Sequence, residues 1–216
     1  MNEELPQMHQ YSIMYSSTKK KPRNIISLIR LLYTFNKSNR YIENISKCTI
    51  DNYNKITGDN KEQLQCLIKL QYYIYYTISD IHFFIIFSYL FNNFYLKSKI
   101  LRYICTLVYE SFSEIELLKG SVFQNIVNSI KSNKIKELLK IDLLRLRKFK
   151  KEWSSEFGKI RNNIGAHRNI DIRLFDRYIK SLNAKTVTDL SIIYISILTC
   201  LSTVNAMMLI EMTRSS

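Results

Sequence analysis

Only six of the 216 residues are glycine or proline, four Gly and two Pro. That scarcity constrains the fold more than any other feature. Turns draw on Gly and Pro for backbone conformations that other residues adopt at a cost, so a turn-rich β fold is disfavoured. Ile, Leu, Tyr and Phe are abundant and recur at helical spacing, which favours long amphipathic helices packed around one core. The fold class expected is all-α, a helical bundle, and the length suits a single domain.

Taken in order, residues 1–22 lack the apolar stretch of a signal peptide and read as a mobile N-terminal arm. Residues 23–216 then form one helical domain. Ile25, Ile26, Leu28, Ile29, Leu32, Tyr33 and Phe35 mark a helix starting at Asn24, just after Pro22. A weaker piece is expected over 41–50, and Thr57-Gly58-Asp59-Asn60 reads as a turn. Long helices are expected over 61–96, 99–119 and 133–164, a short one over 171–182, and a last one over 188–212. The first of these holds the nearly all-apolar run 81–91, interrupted by His82 and bordered by Asp80. It reads as the central buried helix, from which Asp80 can reach a basic partner across the bundle.

The stretch 190–210 carries no charge over 21 residues, long enough to span a bilayer. Ser196, Thr199 and Thr203 give it a mildly polar stripe. The reading favoured is a buried core or dimer helix rather than a membrane tail. Cys48, Cys66, Cys105 and Cys200 are widely spaced, without a C-x-x-C pair or clustered His. No zinc site, metal or cofactor is therefore expected, and reduced thiols in a cytoplasmic protein are the simpler reading.

Thirty-two basic and eighteen acidic residues leave a net charge of +14. Such a surplus favours polyanions: nucleic acid, an acidic partner or an anionic surface. The charge is concentrated. Between Lys134 and Arg161 there are ten basic and four acidic residues, a local net of +6. Lys148, Lys150, Lys151 and Lys159 in that run, and Arg168 beyond it, can contact an RNA backbone. A solvated helix face is the plainer alternative.

That run leads into the stretch from Phe157 to Asn169, which holds Arg161, His167 and two of the four glycines. Six residues of unbroken helix turn the chain through about 600°, leaving Arg161 and His167 on different faces. Gly165 can end the helix near Ile164 and let His167 fold back beside Arg161. A guanidinium grips a phosphate through two parallel hydrogen bonds, and an imidazole moves protons near neutral pH.

Arg161-Asn162-Asn163-Ile164-Gly165-Ala166-His167 resembles the signature of the HEPN superfamily: an arginine, a polar residue that is often Asn, and a histidine after four to six residues. The text "Ile-Arg-Asn…Ala-His-Arg" is similar to its abortive-infection branch. The resemblance implies a HEPN-like helical bundle, here with additional N-terminal helices. It also implies a metal-independent endoribonuclease acting as a toxin or phage-defence effector. Arg161 and His167 would be catalytic, with Asn162 and Asp80 supporting. A homodimer with two motifs facing one cleft is implied too, as is an antitoxin or nucleotidyltransferase partner. Where many HEPN toxins carry a tyrosine two residues after the histidine, this chain has Asn169. A non-catalytic HEPN-like module that binds nucleotide, RNA or protein is the alternative.

Overall fold

The computed structural model describes residues 60–90, 94–118, 120–161 and 184–215, together with Tyr33, Arg40 and Gly58. All secondary structure among the described residues is helical. The five helices are α1 (Lys61–Leu90), α2 (Phe94–Leu118), α3 (Ser121–Ser129), α4 (Asn133–Arg161) and α5 (Ala184–Ser215). The expected arm over 1–22 and the helices expected over 24–35, 41–50 and 171–182 fall wholly or mostly outside the described residues.

The entry to α1 is the turn marked in the sequence. Gly58 has φ +98°, a left-handed conformation that favours glycine. Its carbonyl accepts from the Lys61 amide at 3.1 Å, and Asn60 accepts from Leu64 at 3.0 Å. Boundaries differ from expectation at the junction after α1 and at α5, which runs over 184–215 rather than 188–212. α1 ends at Leu90 and α2 begins at Phe94, so residues 94–96 belong to the second helix rather than the first. The apolar pattern runs across the junction, which is why periodicity placed the boundary several residues late. α3 was not anticipated. Its nine residues bury only Phe123 and Ile126, too short a repeat to separate from a loop by pattern alone.

Four long helices form a bundle; α2 and α4 run antiparallel, since Glu116 meets Lys150 while Glu110 meets Arg161. Phe84 of α1 stacks on Tyr103 of α2 at 5.5 Å. Gln71 of α1 donates to Ser202 of α5 at 2.6 Å. Glu211, near the end of α5, accepts the backbone amides of Lys131 at 2.5 Å and Ser132 at 3.2 Å. With Ser132 Oγ accepting from the Ile135 amide at 3.4 Å, these bonds serve amides at the start of α4, where no helical carbonyl is within reach. The continuous apolar core includes Leu67, Ile74, Ile81, Ile104, Val108, Ile115, Ile195, Leu198 and Met208. By length and composition the segment Lys185–Arg214 could cross a membrane. In this fold half of its apolar window is buried against the protein.

Tyr194 sits where α2, α4 and α5 meet, with no exposed surface. Its ring lies edge-on to Phe112 at 5.4 Å and stacks on Phe149 at 5.3 Å. Its hydroxyl and that of Ser111 are 2.6 Å apart. Ser111 in turn donates to the Val108 carbonyl at 2.7 Å, so Tyr194 is the donor in the pair. Without that bond the buried hydroxyl would cost about 1–3 kcal/mol. A second polar knot joins α1 to α5. Asn205 Nδ2 donates to Gln71 Oε1 at 2.7 Å and to the Leu67 carbonyl at 2.9 Å.

His82 is buried inside α1 at 7% exposure, and loss of solvation pushes its pKa from the usual 6.5 down to about 4. The unfolded chain binds a proton at His82 near pH 6.5 while the native chain resists it until about pH 4, so acid favours unfolding across that window. Burial pushes the Asp142 carboxyl upward despite Arg145 beside it, which acts in the opposite sense as pH rises. Unfolding free energy is therefore expected to drop by about 3 kcal/mol through His82 between pH 6.5 and 4. Urea titrations of wild type and His82→Gln at both values check this. An acid limb equally steep in the variant would assign it to other groups.

Candidate active site

Arg161 is the last residue of α4, and two neighbouring residues of α2 hold it. Its guanidinium carbon lies 5.5 Å from the centroid of the Tyr109 ring, a cation–π contact. Its Nε and Nη2 both donate to Glu110 Oε1, at 3.4 and 3.5 Å. These bonds are long, and both side chains are substantially exposed. Exposed pairs of this kind contribute about 0–1 kcal/mol, so an incoming phosphate can compete with the carboxylate for the guanidinium.

Gly158 explains how Tyr109 comes so close. It is buried in α4, and a Cβ there would stand 2.9 Å from Tyr109 Cε2. The ring occupies the space a side chain would need, and its other contacts place it under Arg161 one turn further on. A glycine inside a helix costs about 1 kcal/mol relative to alanine. Here it permits the close approach that positions the arginine.

Beside this contact, α2 and α4 border an open cleft of about 430 Å³. Tyr109 and Phe112 provide its aromatic part, and Ser113, Ser154 and Ser155 bring hydroxyls. Lys150, Lys159 and Gly158 line it as well. Lys150 pairs with Glu116 of α2 at 2.7 Å, and Lys159 with Glu156 of its own helix at 2.8 Å.

The sequence-derived site residues separate into three groups. Arg161, Lys150 and Lys159 come together at the cleft and its rim. Lys148 and Lys151 lie further out on exposed faces of α4, with Lys148 3.9 Å from Glu152. Asn162, His167 and Arg168 lie outside the described residues, as does Gly165. Asp80 is on α1 as expected, but on its exposed side, and partial burial of its carboxyl pushes the pKa upward. Among the described residues, Glu110 brings a carboxylate to Arg161.

Glu110 and Tyr109 were not singled out in the sequence. Glu110, Glu114 and Glu116 look like a solvated acidic face, yet Glu110 and Glu116 each cross to a base on α4. The available signal was complementarity: an acidic segment on one helix and a basic segment on another. Its register could not be read without the packing. Burial pushes the Cys105 pKa up to about 12, which makes that thiol a poor nucleophile. Cys48 lies outside the described residues.

Compared with known proteins, the chain matches no family model, no curated protein and no solved structure.

Gly158→Ala tests the Tyr109 contact. Overpacking is expected to cost about 1–3 kcal/mol, offset by about 1 kcal/mol of helix propensity. Urea denaturation should therefore show no gain, with the Tyr109 ring moved away from Arg161 in NMR spectra. A variant stabilised by the full propensity term, with the ring contact unchanged, would contradict the close approach.

Proposed function

We propose that the protein is a metal-independent endoribonuclease of HEPN type, acting as a toxin or phage-defence effector. One observation carries the reading. Arg161 is held at the rim of a basic, hydroxyl-lined cleft by Tyr109 and Glu110, six residues before His167 in the motif. Catalysis of RNA cleavage without metal needs a fixed cation for the phosphate and a group that moves protons.

The ribose 2′-oxygen attacks the adjacent phosphorus, and the bond from phosphorus to the 5′-oxygen breaks. His167 handles the proton leaving the 2′-hydroxyl or the proton taken up by the departing 5′-oxygen. Arg161 exchanges Glu110 for the phosphate and stabilises the charge that builds on its non-bridging oxygens. Asn162, next to Arg161, would hold the turn or add a hydrogen bond. The exposed bases of α4, Arg147 and Lys151 one turn apart among them, supply non-specific attraction for the strand. In this reading the protein is a cytoplasmic homodimer in which two copies of the motif face one cleft. An antitoxin or a nucleotidyltransferase would restrain it.

Expression of wild type, His167→Ala and Arg161→Lys in the same host tests this. Wild type should arrest growth and degrade RNA. His167→Ala should do neither while still binding RNA, because binding is spread over many basic side chains. Arg161→Lys should also fail, since lysine keeps the charge but loses the planar two-pronged donor. Equal growth and RNA integrity in all three would remove the nuclease. Retained RNA binding in that case would leave a non-catalytic module.

A further inference from the structure

We propose that the cleft between α2 and α4 is a subsite for one nucleoside monophosphate unit, seated beside Arg161. The inference rests on the ribonuclease reading only for the origin of that unit, which is either a nucleotide of the RNA chain or a free mononucleotide.

Size and lining chemistry select the ligand. A volume of about 430 Å³ is in the range of small-molecule sites, which begin at about 300 Å³, and is far more than a lone phosphate fills. Among the described residues two ammonium groups line the cleft and no carboxylate does, so an anionic group finds partners there. Ser113 stands on α2, and Ser154 and Ser155 on α4. Hydroxyls from two walls can donate or accept, which suits the ribose and the edge of a base. Tyr109 and Phe112 offer the aromatic surface against which a base packs. A purely apolar ligand would cover the serine hydroxyls of the lining without bonding to them.

The lysines are already placed for this. Glu116 holds Lys150 at 2.7 Å and Glu156 holds Lys159 at 2.8 Å, which fixes both ammoniums at the cleft. The two acids are about half exposed, so solvent weakens the pairs and a phosphate can take over the lysines. Arg161 reaches the same Tyr109 ring that lines the cleft. A phosphate on the seated unit and the phosphate gripped by Arg161 would therefore be neighbours along one strand.

The test uses the purified full chain carrying His167→Ala and titrates adenosine 3′-monophosphate by calorimetry, with inorganic phosphate and adenosine as partial ligands. The mononucleotide should bind more tightly than either part. Ser154→Leu, which fills the cleft, and Lys150→Gln should each weaken it about tenfold or more. Glu116→Gln releases Lys150 and should leave affinity equal or higher, an outcome that general damage to the fold would not give. Circular dichroism melts establish that the variants are folded. A hexaribonucleotide displaced by the mononucleotide assigns the unit to the RNA chain, and simultaneous binding of both assigns it to a free nucleotide. No binding at millimolar concentration, or equal affinity in wild type, Ser154→Leu and Lys150→Gln, overturns the subsite. RNA cleavage by the otherwise wild-type chain, assayed alongside, reports on the nuclease separately. Cleavage without mononucleotide binding rejects the cleft alone, and binding without cleavage rejects the nuclease alone.

Discussion

The bundle depends on one buried hydroxyl. Tyr194 is fully enclosed by α2, α4 and α5, and its only affordable placement is one in which its oxygen meets Ser111. The two rings it packs on, Phe112 and Phe149, belong to the helices that flank the cleft. A slip of one helical turn, about 5.4 Å, would strand the hydroxyl and separate those rings. The bond therefore fixes the register of α2 against α5, and the Phe112 and Phe149 rings packed on Tyr194 carry that register across to α4. Tyr109 and Glu110 lie immediately before Ser111, so the same register brings them to Gly158 and Arg161.

From that register the electrostatics follow. α4 carries a strong excess of bases, and a helix so charged repels itself and its surroundings. Some of the charge is balanced within the helix, by Asp142 for Arg145 and Glu156 for Lys159. Glu116 and Glu110 on α2 balance Lys150 and Arg161. Apart from Asp142, which is buried, the acids in these pairs are about half exposed, and such pairs contribute little to stability. Their effect is positional: they hold cations at one seam, in contacts weak enough for a phosphate to replace.

The sequence made the helical class legible, because so few glycines and prolines leave no means of building many turns. It also located the turn at Gly58. Two kinds of information were out of reach. Periodicity is blind to a helix junction inside an apolar run, hence the misplaced boundary between α1 and α2, and to a helix as short as α3. Partners across the bundle are non-local, so no pattern could match Glu110, in an acidic segment that looks like ordinary solvated surface, to Arg161. Gly158 was visible as a glycine within a helix, but its meaning required knowing that Tyr109 stands against it. Arg161 could be picked out by its motif, while the ring and carboxylate that hold it could not.

The central claim is that Arg161 and His167 cut RNA by using its own 2′-hydroxyl, and the ends of the product report on that most directly. Purified protein incubated with a short RNA in EDTA, with the fragments weighed by mass spectrometry, should give 2′,3′-cyclic phosphate and 5′-hydroxyl ends. A substrate with deoxyribose at the cut position should stay intact. Fragments bearing 5′-phosphates, cleavage only on addition of a divalent metal, or cutting of the deoxy substrate would contradict the account.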